Sequence, residues 1–235
     1  MAVLFVTHEA FADHEAGRGH PESPARLAAV ERGLELAGIA EALIRLPPRA
    51  ATRAELERVH PAGYLDALQR YCASGGGQLD PDTGVVAASW EAAVLAAGAG
   101  PSAIEALDAG GADAAFLAVR PPGHHATSGR SAGFCLLNNV AVAAAGLADR
   151  GERVAIVDYD AHHGNGTQDL FYRDARILYI SFHQSPWYPG TGRFEEVGEG
   201  LGEGTTLNIP FAAGNSGEVN RPALDDVVTP AIEAF

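Results

Sequence analysis

The second half of this 235-residue chain alternates in a way that leaves few folds open. Residues 114–119, 153–157, 176–182 and 205–209 are continuous apolar, partly β-branched runs, and helical patterns lie between most of them. Runs apolar on both faces belong inside a parallel sheet covered by helices on each side. The spacing therefore predicts an α/β fold with a mainly parallel sheet. The first half begins with a short strand at 3–6 and a polar, His-rich loop at 7–22. Ser23 then reads as the cap of a helix with Pro24 at its first position and Gly38 at its end. Thr52 and Glu55 make a capping-box pattern, and Pro61 opens a helix that Gly75 to Gly77 end. Ser89 begins a long Ala-rich helix that Pro101 kinks or splits. No repeat, low-complexity linker or charge block divides the chain, so residues 1–235 read as one domain.

Composition narrows the function classes. Hydrophobic residues make up 47% and charged residues 20%, the balance of a globular protein with a substantial core. Thirty acids against sixteen bases give a formal charge of −14, which argues against sequence-independent nucleic-acid binding. Only Cys72 and Cys135 are present, so no disulfide framework is indicated. The opening MAVLFVTHEAF has no basic stretch before it and is too short to span a bilayer. These features predict a cytoplasmic protein without a membrane segment.

In parallel sheets ligands bind beyond the carboxyl ends of the strands. The segments at those positions here are RPPGHHA, DYDAHHGNGTQD and SFHQSPWYPGTG, and five of the nine histidines fall between 124 and 183. An isolated histidine is more often a hydrogen-bonded structural residue than a ligand, but clustering at strand ends weakens that reading. Alternation at a strand end points Asp158, Asp160 and His162 to one side, where a carboxylate and an imidazole meet one cation. Mixed oxygen and nitrogen ligation suits zinc, and also manganese or iron(II). The competing reading is a solvated acidic turn around Gly164 and Gly166. Metal-assisted hydrolysis needs a base beside the metal, and His124 and His125 are the candidates, with Asp158 and Asn165 as orienting partners.

At this point the sequence resembles a known family, the zinc-dependent histone deacetylases and acetylpolyamine amidohydrolases. RPPGHHA, GFCLLNNVAVAA, VDYDAHHGNGTQ and YPGTG match it in order, and HPESPARL near the start agrees. Asn165, where other branches carry Asp, is similar to the class II type and its bacterial relatives. The resemblance implies a three-layer α/β/α arginase/deacetylase fold, one catalytic Zn2+ held by Asp160 and His162, and Asp158 supporting His124. His125 is implied as general base and then as acid for the leaving amine. Phe134, Tyr188 and Trp187 resemble the walls of an acyl-lysine tunnel, with ordinary core packing as the alternative for each. Asp82 resembles a rim carboxylate that holds the substrate backbone, with Asp80 as the competing register. Ser181, with backbone oxygens near Asp158, Asp160, His162 and Phe182, resembles a structural K+ site. The implied partner is an acylated amine, acetyl-lysine or an acetylpolyamine.

The family's later Asp ligand, in a motif of the type GFDAH, and its oxyanion-stabilising Tyr or His have no counterpart in these residues. Asp225 and Asp226 lie in a helical pattern and are not promoted to ligands. The family's order also places two later strands between those that precede GHHA and DxDAHH. The expectation is thus the N-terminal part of a deacetylase, lacking its C-terminal strands, inactive as it stands and prone to self-association through unpaired edges. Two other readings compete. A ureohydrolase with a two-manganese site is disfavoured by Gly164 and Asn165, where a further Asp would be expected. A non-catalytic acyl-amine binding protein is the other.

Overall fold

The computed structural model describes residues 1–235. They form two compact units, residues 1–146 and 147–235. In the first unit, strands β1 (Val3–Val6), β2 (Leu43–Leu46) and β5 (Ala114–Leu117) make a parallel sheet in the order β2-β1-β5. Strands β3 (Gly76–Asp80) and β4 (Thr83–Val86) form a separate antiparallel hairpin. The sheet is packed by α4 (Ser89–Asp108), whose Ala99 and Ala103 meet Leu4 and Val6, with Leu117 and Val119 against the same cluster. The small side chains of α4 allow that close approach. Pro101 sits inside the helix without splitting it.

Around this core lie α1 (Ala25–Leu36), α2 (Arg53–Glu57) and α3 (Ala62–Ala73). The capping box is present: the Thr52 hydroxyl accepts from the Glu55 N–H, and the Glu55 carboxylate accepts from the Thr52 N–H. The expected Ser23 cap is corrected. Pro24 occupies the cap position with helical φ and ψ, and Ser23 offers only its carbonyl, to the Arg26 N–H.

In the second unit, β6 (Val154–Asp158), β7 (Ile177–Gln184) and β8 (Thr206–Phe211) form another parallel sheet in the order β6-β7-β8. Its central strand β7 is buried through seven of eight residues. Leu178, Ile180 and Phe182 pack with Val228 and with partly buried Val157, Leu207, Ile209 and Phe211. Helix α5 (Asn139–Asp149) spans the boundary between the units, α6 (Asn165–Phe171) connects β6 to β7, and α7 (Gly217–Ala223) follows β8. Strands β5 and β6 each pair on one side only within their sheets, and apolar Phe116 on β5 is 45% exposed. No helix is long and apolar enough to cross a membrane.

Candidate active site

In the first unit, the RPPGHHA segment leaves β5 and is anchored along its length. The Asn139 side chain donates to the Pro121 carbonyl at 3.0 Å, and the Asn138 side chain donates to Ala126 O at 3.1 Å. The Asn138 N–H donates in turn to His60 Nε2 at 2.9 Å, and His60 Nδ1 lies 2.9 Å from Ser128 O. A carbonyl on one nitrogen and an N–H on the other fix His60 as the neutral Nδ1–H tautomer. Burial lowers its pKa, consistent with that form. His60 was not singled out by sequence reasoning, because a histidine 65 residues before His125 carries no motif.

The rings of the two candidate histidines lie 4.0 Å apart between centroids, tilted by 45°, and His125 is buried. The His125 N–H points at Cys135 Sγ, 3.4 Å away. Its imidazole lies against Gly133, where a Cβ would sit 2.3 Å from His125 Cδ2. The next residue, Phe134, has φ 70°, the left-handed region that non-glycine residues rarely occupy. Its N–H donates to Thr83 Oγ1 at 3.0 Å, which ties the GFC turn to the β3–β4 hairpin.

That hairpin carries Asp80 and Asp82. The Asp82 N–H donates to Asp80 Oδ1, and the Thr83 hydroxyl donates to Asp82 Oδ1. Burial and the adjoining Asp80 carboxylate raise the Asp82 pKa. Burial alone would raise Asp80 too, but hydrogen bonds from Thr83 and Asp82 leave it lowered. The Asp82 carbonyl lies 3.1 Å from His20 Nε2, and the His20 ring meets Phe134 edge-on at 4.6 Å. Asp82 and Phe134, expected as a rim carboxylate and a tunnel wall respectively, thus both contact His20.

In the second unit, the DYDAHH segment leaves β6 as successive side-chain-closed turns instead of an extended strand. Asp158 Oδ1 accepts from the Asp160 N–H at 3.2 Å, and Asp160 Oδ1 accepts from the His162 N–H at 2.8 Å. These turns bring Asp160 and His162 together: His162 Nδ1 lies at hydrogen-bond distance, 3.0 Å, from Asp160 Oδ1. Two donors about 2.0–2.1 Å from a tetrahedral zinc stand about 3.3 Å apart, so the pair fits two corners of such a site. No three His, Cys, Asp or Glu side chains gather into a metal-binding group. The Trp187 ring lies 4.3 Å from the His162 ring and Tyr188 approaches its edge at 6.1 Å, so both aromatics border the donor pair.

Asp158 is held from β7, where the Tyr179 hydroxyl lies 3.1 Å from its Oδ2. Ser181 pairs in register with Asp158 across the strands, and its hydroxyl lies 3.0 Å from His183 Nδ1. Phe182, next along, turns its ring onto Phe211. Asn165 begins α6, its N–H on the His163 carbonyl. His163 is bound to Thr191 and Gln168, and Gln168 reaches Glu196 and Asn208. Burial, reinforced by His183, takes the His163 pKa down to about 4. The network pins the YPGTG turn beside the donor pair. Its one legible signal was that HHGNGTQ and YPGTG both belong to the motif set.

Two parallel three-stranded sheets with polar, His- and Asp-rich loops at their carboxyl ends define an α/β protein whose candidate functional residues lie at the strand ends. Comparison with known proteins makes the class specific. Residues 20–235 match the histone deacetylase domain. A probable deacetylase of Archaeoglobus fulgidus is 41% identical over the whole chain, and a histone deacetylase-like amidohydrolase of Pseudomonas aeruginosa is 41% identical over 94% of it. The crystal structure of the HDA15 HD domain superposes on all of the chain with a TM-score of 0.94 at 37% identity, covering 70% of that domain. The chain belongs to the histone deacetylase family, and its α/β architecture is the arginase/deacetylase fold. It spans 66% and 59% of the length of the two curated relatives named above.

Proposed function

We propose that the protein is a zinc-dependent amidohydrolase that removes an acetyl or related acyl group from a lysine side chain or a polyamine. The observation that carries this reading is the convergence of Asp160 Oδ1 and His162 Nδ1 at the end of β6, bordered by Trp187 and Tyr188. Asp160 and His162 would hold the metal, with a further ligand beyond these two, because catalytic zinc sites use three. When bound, zinc supplies a Lewis acid for the acyl carbonyl and activates water.

The chain's own residues do the rest. His125 takes the proton of the attacking water and returns it to the leaving amine nitrogen, so that the C–N bond breaks to give a carboxylate and an amine. His124, the neighbour of His125 in the same loop, stabilises the charge that develops nearby. In the second unit, Asn165 orients the loop after β6 and Tyr188 and Trp187 are the proposed acyl-channel walls; Phe134 is the wall proposed in the first unit. Asp82 accepts from the substrate at the rim. Ser181 and the backbone oxygens of Asp158, Asp160, His162 and Phe182 would hold a structural K+. The acidic surface favours amine substrates, and the cytoplasm is the proposed location.

A second reading, a protein that binds acyl-amines without turnover, is favoured by the absence of a third donor beside Asp160 and His162. Zinc content and hydrolysis of an acetyl-lysine peptide and of N-acetylated polyamines separate the two. One zinc per chain with turnover supports the hydrolase, and saturable binding without turnover supports the second reading. Neither binding nor turnover of any acylated amine overturns both.

A further inference from the structure

The least expected group in the molecule is Arg120, the residue that opens RPPGHHA. It is fully buried, and its Nε and Nη2 make a fork on Glu22, both bonds at 2.6 Å. The same guanidinium donates to the Phe11 carbonyl and, at 2.9 Å, to the His14 carbonyl. Glu22 Oε1 also accepts from Arg26, and Glu22 Oε2 lies 3.5 Å from His14 Nε2. His14 Nδ1 is bound to Ser89 Oγ. A buried ion pair is a poor source of net stability, because desolvation of both charges opposes their attraction. Its planar fork does fix the register of the segments it joins.

Those segments are the two halves of the candidate site in the first unit. On one side, Arg120 stands five residues before His125. On the other, the Glu22 N–H donates to His20 Nδ1 at 3.1 Å, which leaves the proton on His20 Nε2 for the Asp82 carbonyl. The His20 ring then meets Phe134, whose neighbours Gly133 and Cys135 touch the His125 ring and N–H. The circuit closes on itself: Arg120, Glu22, His20, Phe134, His125. We infer that Glu22 and Arg120 are positioning residues that set the substrate rim, His20, Asp82 and Phe134, in register with the histidine loop. His20 is a further wall of that rim. The catalytic meaning of the register rests on the proposed hydrolase, but the register itself does not.

Long-range 1H–15N NMR of the histidine side chains, read beside thermal midpoints, tests it without turnover. The variants are Glu22→Gln, which keeps shape and loses charge, and Arg120→Lys, which keeps charge and loses the fork. In both, the His20 and His125 resonances are expected to shift together, while those of His60, anchored separately by Ser128 and Asn138, stay in place. A lower midpoint with His20 and His125 unmoved would make the pair a stability element only and overturn the inference. His20→Ala cuts the circuit but leaves the Arg120–Glu22 side-chain fork in place, so it covers the case in which the first two variants do not fold. It should move the His125 resonances, and unmoved His125 resonances there would equally refute the circuit. Loss of hydrolysis in wild type with these shifts observed would count against the proposed function alone.

Discussion

Replacing Gly133 by alanine perturbs the candidate base with a single methyl group. The new Cβ would lie 2.3 Å from His125 Cδ2 and 2.8 Å from Cγ, against ordinary contacts near 3.4–4 Å. The imidazole must therefore move by about 1 Å, or the Gly133–Phe134 turn must open. Overpacking of this kind costs about 1–3 kcal/mol. The backbone adds to it, because Gly133 has φ +54° and a left-handed L-residue costs about 1–2 kcal/mol more. The sum is about 2–5 kcal/mol, read as a fall in the urea midpoint at unchanged slope. Gly129→Ala is the internal control: no atom lies within 4 Å of its added Cβ, so its effect should stay within about 0.5 kcal/mol of wild type or be slightly stabilising. If Gly133→Ala unfolds at the same urea concentration as Gly129→Ala, the close packing of His125 on this turn is wrong.

Acid should destabilise the chain before its carboxylates titrate. Burial takes His14 from 6.5 down to about 4, so the unfolded chain binds a proton there that the folded one refuses. That depressed pKa contributes stability above pH 6.5 that is lost as pH falls toward 4, about 3 kcal/mol in all, and His60 acts in the same direction. Urea midpoints measured between pH 7 and 4.5 should fall accordingly, less steeply in His14→Gln, and a flat profile would contradict the neutral assignment. Thr52→Ala removes the hydroxyl that accepts from the Glu55 N–H and should cost about 1 kcal/mol by chemical denaturation, with no change in metal binding.

The elements legible in the sequence were those whose signal is local. Strands β5 to β8 are continuous apolar runs, and each formed within two residues of its expected bounds. Strand β2 was missed because LIRL is an edge strand: Arg45 points out to a fork on Glu31, and no alternation marks a buried face. The β3–β4 hairpin was missed because Gly75 to Gly77 read as a helix stop and nothing more. At the site, DYDAHH drew attention to Asp160 and His162, which side-chain-closed turns bring within hydrogen-bond distance where strand alternation was expected. The Arg120–Glu22 fork was illegible because its partners lie 98 positions apart, and only the folded chain shows that Arg120 has no water to face.

Zinc retention and turnover, compared across three substitutions, bear most directly on the proposed hydrolase. The protein is expressed from its gene, with any sequence that continues in frame beyond Phe235, loaded with zinc, dialysed, and assayed for bound metal and for hydrolysis of an acetyl-lysine peptide and acetylated polyamines. As ligands, Asp160 and His162 should be needed for the metal itself, so Asp160→Ala and His162→Ala lose both zinc and turnover. As the base, His125 should not be, so His125→Ala keeps its zinc and loses about a hundredfold or more in kcat. Equal zinc in all three variants, or turnover by His125→Ala within about tenfold of wild type, would contradict the assignment of ligands and base.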